Sequence, residues 1–153
     1  MAISKKIRLQ VYEKYGGLCG YTGKPLGDKW EVDHVTPQSH YRWYQSSETM
    51  KCDDIANLIP AIKIINHYKR GRDLEQFRRY ISTLHIRLKK LPKKTMVART
   101  ENRKRYLLEV AEHFGVTPDN PFNGTFYFET IPLLPVTAEG SAGANNFLKR
   151  DVA

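Results

Sequence analysis

Two cysteines in 153 residues, Cys19 and Cys52, are too few for a disulfide framework, and they suit a chain that folds in a reducing compartment. Long apolar runs are missing as well. No stretch reaches the roughly 18–20 apolar residues that a membrane-spanning helix needs. The opening residues MAISKKIRLQ contain lysines but no apolar segment of signal-peptide length behind them. The expectation is therefore a cytoplasmic protein of a bacterial or phage-infected cell, with no membrane partner. Internal repeats are also lacking, which excludes solenoid and propeller architectures. Acid is scarce: 16 Asp and Glu face 25 Lys and Arg, for a net charge of +9 and a pI near 9.6.

That shortage of acid is local. Residues 1–60 hold 8 basic and 7 acidic side chains, and residues 107–153 hold 2 and 6. Residues 61–106 hold 15 basic against 3 acidic, a net +12, so the middle of the chain carries the whole excess. A positive field of this density suits a polyanion, with nucleic acid the leading candidate. The plainer reading is a set of solvated helix faces. An anionic membrane fits less well, because the basic helices do not pair their charge with an exposed Trp or Phe face.

What is present reads as an α+β chain. Ser4 caps a helix running to about Tyr15, with Ile7, Val11 and Tyr15 on one side and Gly16-Gly17 as its stop. Leu18–Lys29 reads as a tight loop. Trp30-Glu31-Val32 is a short strand leading into Asp33-His34, and Asn57-Leu58-Ile59-Pro60 a second. Between them, 38–54 is a polar loop long enough to point to a function. Its Tyr41, Trp43 and Tyr44 offer faces for stacking on bases, with packing as their default duty. Residues 62–70 read as a helix. Leu74, Phe77, Ile81, Leu84, Leu88 and Leu91 alternate three and four apart and predict one long helix stopped by Pro92, with Asp73 and Gln76 as its capping pair. A further helix spans about Glu101–Phe114, with Gly115 as its stop. Thr125–Ile131 has strand composition, and 132–153 reads as a tail or arm.

Chemistry concentrates around Asp33-His34. A magnesium-type ion takes oxygen ligands, often one or two from protein with water and phosphate supplying the rest. Asp33 and the Asn66 amide oxygen supply two, with His67 as the rival ligand on the helix. A neutral imidazole, with an ordinary pKa near ~6.5, can take a proton from water. Adjacent strand residues face opposite ways, so a strand end or bulge is needed to bring Asp33 and His34 to one cavity. Asn66, Lys69 and Arg70 share one helix face, and Lys69, Arg70 and Arg72 are the expected phosphate contacts. Asn57 more often caps or turns than serves a site. His40, His85 and His113 have no evident partner and are expected at a surface or interface. The two cysteines are expected to be inert thiols.

The string Glu31-Val32-Asp33-His34-Val35-Thr36-Pro37-Gln38-Ser39 resembles the opening motif of the HNH nucleases, including the HNH module of RNA-guided CRISPR nucleases. Asn57-Leu58-Ile59-Pro60-Ala61 resembles the central segment of that family, and Asn66-x-x-Lys69 its closing segment. Together they cover roughly residues 12–80. The resemblance implies a ββα-metal (His-Me finger) core with flanking helices, in which His34 is the general base, Asp33 and Asn66 hold one ion, and Asn57 orients the His34 loop. It implies DNA endonuclease activity on duplex DNA with Mg²⁺ as the expected ion and Mn²⁺ or another divalent accepted, and products ending in 5′ phosphate and 3′ hydroxyl. The domain is expected over 1–131, with its core at about 12–80 and a helical extension over 81–131; a homodimer is compatible with it.

Many relatives carry a structural zinc on paired Cys-x-x-Cys motifs. Here the corresponding positions read Cys19-Gly20-Tyr21-Thr22 and Ile62-Lys63-Ile64-Ile65. One ligand of four is left, so no structural zinc is expected, and Ile62 and Ile65 are expected to pack against the first helix and its loop instead. Three rivals stand beside the nuclease reading: a non-catalytic basic DNA-binding module, a nuclease acting on RNA, and a structural protein whose basic helices bind an acidic partner.

Overall fold

The computed structural model of the chain describes residues 3–43 and 52–132. The side chains of Tyr41, Trp43 and Tyr44, expected above as stacking platforms, lie outside the described part, as does the tail from residue 133 onward.

Helix α1 (Lys5–Lys14) starts where Ser4 Oγ accepts the Ile7 amide at 3.3 Å. It ends at Tyr15, and Gly16 and Gly17 then turn the chain with φ of 59° and 75°. The loop behind it comes hard against the sheet. A Cβ on Gly20 would stand 2.2 Å from the Ile59 Cγ1, so only glycine lets its amide reach the Pro60 carbonyl at 2.8 Å.

Strands β1 (Trp30–His34) and β2 (Leu58–Ile62) form an antiparallel pair, with Trp30 opposite Ile62 and His34 opposite Leu58. The register runs unbroken to His34, so the pair ends there without the bulge that was an alternative. Asn57, expected to open the second strand, instead closes a 3-10 turn at Ile55–Asn57 capped by Asp54. Residues from 38 onward also differ from the expected loop: helix α2 (Gln38–Trp43) begins directly after Pro37.

Helix α3 (Lys63–Lys69) follows β2 without a loop and lies along the Glu31/Asp33 face of β1. Ile65 is fully buried in the same core as Tyr15, Cys19 and Tyr21, and Ile62 packs against that core. Burying one such side chain contributes about 1.5–3 kcal/mol.

The single long helix expected over 74–91 is two: α4 (Leu74–Ser82) and α5 (Leu84–Lys89). The Tyr80 carbonyl explains the break, because it accepts from the Thr83 hydroxyl at 3.1 Å and from the Arg87 guanidinium rather than continuing the helical ladder. The apolar stripe survives, since Phe77, Ile81, Leu84 and Leu88 are all buried. Asp73 and Gln76 form the expected reciprocal cap.

Helix α6 (Ala98–Phe114) starts three residues before its expected position, ends on the left-handed Gly115, and packs against α3 and α5. The strand expected over 125–131 is a 3-10 turn at Tyr127–Glu129. Its amides reach the carbonyls of Tyr21 and Gly20, and Phe126 stacks on Phe77 with ring centroids 5.4 Å apart. Tyr21 meets both rings edge-on, each at 5.3 Å. The aromatic composition fills the core instead of a sheet. Among the described residues, no helix is long and apolar enough to cross a membrane.

Candidate active site

The site grows from the end of β1. Because the strand is regular, Asp33 and His34 point to opposite faces. Asp33 faces α3 and is buried, with only 8% of its surface exposed. Its Oδ2 accepts from the Tyr21 hydroxyl at 2.6 Å and lies 3.0 Å from the Lys69 Nζ. Burial raises the Asp33 pKa above the ordinary carboxylate value, and the charge of Lys69, the bonds from Tyr21 and Lys69, and finally the His34 imidazole oppose it. The Tyr21 phenol is pushed well up, first by burial and then by the Asp33 charge. Two donors on one oxygen leave Oδ1 as the face of Asp33 to which no described residue donates.

Lys69, expected at the surface as a phosphate contact, is almost wholly buried. Its ammonium bridges the Asp33 carboxylate and the His34 carbonyl oxygen, the latter at 2.9 Å. Arg72 is also engaged: it donates to the Tyr68 and Lys69 carbonyls and lies 4.0 Å over the Tyr80 ring. Arg70 alone of the three expected contacts is exposed, at the C-terminal end of α3 with φ of 55°. Arg78 and Arg87, further along the basic stretch, are likewise spent within the fold, on Glu129 and on Tyr68 and Tyr80. Among the described residues of the basic stretch, the outward-facing positive charge is carried by Lys63, Arg70 and Arg79, by Lys89, Lys90, Lys93 and Lys94, and by Arg99, Arg103 and Arg105 on α6.

Asn66 lies on the face toward β1, and its amide nitrogen donates to Glu31 Oε2 at 2.7 Å. It therefore sits beside Glu31, two residues along the strand from Asp33 and on the same face, with no direct bond to Asp33. Its amide oxygen receives no bond from a described residue. His67 is turned away and pairs with Tyr106 of α6 at 2.9 Å, which removes it as a rival ligand. His40, His85 and His113 are partly buried, and Nδ1 of His85 and of His113 has no partner among the described residues; burial and then the Lys24 charge lower the His113 pKa.

His34 projects to the other face with 14% of its side chain exposed. Its Nε2 lies 2.8 Å from Asp53 Oδ1. A carboxylate accepts only, so Nε2 is the donor in this contact, and in the neutral ring Nδ1 then holds the free lone pair. The Gln38 amide lies 3.4 Å from the same Nε2. Asp53 was not anticipated from sequence; it sits in the loop before β2 and only folding brings it to His34.

Asn57 makes that meeting happen. Its Oδ1 accepts the Thr36 amide at 2.8 Å, and its Nδ2 donates to the carbonyls of Thr36 at 3.2 Å and Cys52 at 2.9 Å. Its own carbonyl accepts the Val35 amide. One buried amide thus ties the chain leaving β1 to the chain entering β2. The Cys52 thiol beside it is pushed up, first by burial and then by the Asp53 charge.

Chemically, the arrangement offers an oriented imidazole with an open nitrogen, two oxygen ligands on the opposite strand face, and a basic helical flank. No family model matches the chain, and no curated protein or solved structure matches it either.

Proposed function

We propose that the chain is a divalent-metal-dependent DNA endonuclease built on a ββα-metal core, with His34 as its general base. The observation that carries this reading is the Asp53–His34 pair. The carboxylate holds Nε2–H, so Nδ1 is the nitrogen aimed at a water proton, and Asp53 stabilises the imidazolium that results. Asn57 is a positioning residue that fixes both partners through their loops.

Asp33 and Asn66 are the side chains that would hold a hard ion, through the carboxylate and amide oxygens left without donors; such ions favour oxygen ligands completed by water and phosphate. His34 points to the other face but is the last residue of β1, so this reading requires the scissile phosphate to sit at the strand end, where both faces can be reached. When bound, the ion supplies positive charge to the scissile phosphate and the departing 3′ oxygen. Lys69 already neutralises one side of Asp33, so the protein alone would hold the ion weakly and substrate phosphate would complete the site. The cations of α3 and α6 supply the affinity for the DNA backbone, which makes binding fall steeply with salt.

The buried Lys69–Asp33 pair also favours a second reading, a DNA-binding module without catalysis. One experiment separates them: supercoiled plasmid with Mg²⁺, Mn²⁺ or chelator, wild type beside His34→Ala. The nuclease reading expects divalent-dependent nicking that His34→Ala abolishes while DNA binding persists. Binding without nicking under every ion overturns it in favour of the module. Parallel assays on single-stranded DNA and structured RNA test the substrate class.

A further inference from the structure

A cluster apart from Asp33 and Asn66 lies on the outer side of His34. The His34 ring nitrogen, the Cys52 sulfur and an Asp53 carboxylate oxygen all fall within 4.8 Å of one another. Two of the three come from consecutive residues, and Asn57 clamps that pair against the His34 loop through the Cys52 carbonyl. Nitrogen, sulfur and oxygen donors in one pocket do not suit magnesium, which avoids sulfur; they suit a borderline-soft ion of the zinc class. Ligand bonds of about 2.0–2.3 Å in a tetrahedron set the donor atoms roughly 3.3–3.6 Å apart. The present spacing brackets that range, from the 2.8 Å between Nε2 and Asp53 Oδ1 upward. Asp53 keeps 42% of its side chain exposed, so it has room to open by the small amount required.

We propose that His34, Cys52 and Asp53 form a binding site for a zinc-type ion, and that filling it switches off the base. The chemistry is a proton relocation. Coordination needs the Nε2 lone pair, so the proton that Nε2 gives to Asp53 moves to Nδ1. The Cys52 thiol loses its proton to solvent, and its thiolate becomes the second ligand. The Asp53 carboxylate is the third, and water takes the fourth position. Nδ1, the nitrogen that accepts the water proton in the hydrolytic reading, is then a donor and can accept nothing. The inhibitory half rests on that reading of His34; ion binding does not.

Co²⁺ reports the site directly, because a thiolate ligand gives a near-ultraviolet charge-transfer band. The wild-type chain should develop this band at one equivalent, and Cys52→Ser should lose it and bind at least ~10–100-fold more weakly. Cys19 is fully buried, so the band has one source. Zinc should also protect Cys52 of the unmodified wild type from alkylation, read by peptide mass, a check that needs no variant. A missing band, or alkylation indifferent to zinc, overturns the site. In Mg²⁺-supported nicking, zinc should stop wild type and spare Cys52→Ser; equal zinc sensitivity in both overturns the switch. Absence of nicking under all ions with the band intact defeats the nuclease reading and its switch, and leaves the zinc site standing.

Discussion

Lys69 Nζ stands 3.0 Å from Asp33 Oδ2, and both side chains are buried at the junction of β1 and α3. A charge pair in this position is held by mutual need. Each partner has lost water, so removing one leaves the other stranded in a poor solvent.

Lys69→Met should therefore cost about 3–5 kcal/mol of stability, the range for breaking a buried pair. Urea unfolding measures it. The double variant Asp33→Asn/Lys69→Met should recover most of the loss, since no uncompensated charge remains. A single variant as stable as wild type would show that the pair contributes nothing.

Asp53→Asn should lower the nicking rate between about a hundredfold and ten-thousandfold, as loss of a tautomer-setting carboxylate does in other imidazole bases. DNA affinity measured by anisotropy should not fall, because the substitution removes a partly exposed negative charge and no phosphate-binding cation. Equal loss of binding and rate would assign Asp53 to the DNA surface instead.

Asn57→Ala leaves the Thr36 amide and the Thr36 and Cys52 carbonyls without their partner. The expected cost is about 1–3 kcal/mol for each group that stays dry, together with a fall in nicking. Asn57→Asp retains the acceptor but not the donor and should restore only part of either. Thermal unfolding and plasmid nicking on the same preparations give both numbers.

Acid should loosen the carboxyl-terminal part of the described fold. The Arg78 side chain holds Glu129 below its ordinary carboxylate value, with burial opposing and the Phe126 amide assisting. A lowered folded pKa contributes stability above the unfolded value and loses it as pH falls through the folded one. Stability should thus decline below about pH 4.5, the ordinary Glu value, and Glu129→Gln should flatten that part of the curve. Unfolding midpoints at stepped pH test it, and identical curves would remove Glu129 as a cause.

Much of the scaffold could be read from local patterns. Ser4, the Asp73–Gln76 cap, Gly115 and the three-four apolar spacing each act within a few residues, so helices α1, α4 and α6 were legible. The two strands were legible from the short strand-forming segments around Trp30–Val32 and Leu58–Pro60, and α3 from the run over 62–70, though Asn57 falls in the turn before the second strand. What failed depended on distant partners. The stripe from Leu74 to Leu91 keeps its period across Thr83, and no Gly or Pro marks the break that Arg87 makes at the Tyr80 carbonyl. Thr125–Ile131 has the residues of a strand but no strand to pair with, and its rings are needed around Phe77 and Tyr21. Lys69 looked like any cation in a basic run; its burial follows from lying over Asp33. Asp53 was invisible because its meeting with His34 requires a loop to close.

The Asn57 amide grips Thr36 and Cys52 at once, so the intervening stretch of chain departs from and returns to a single anchor. One side chain therefore sets two loops, and any change at position 57 is felt by the His34 side and the Asp53 side together.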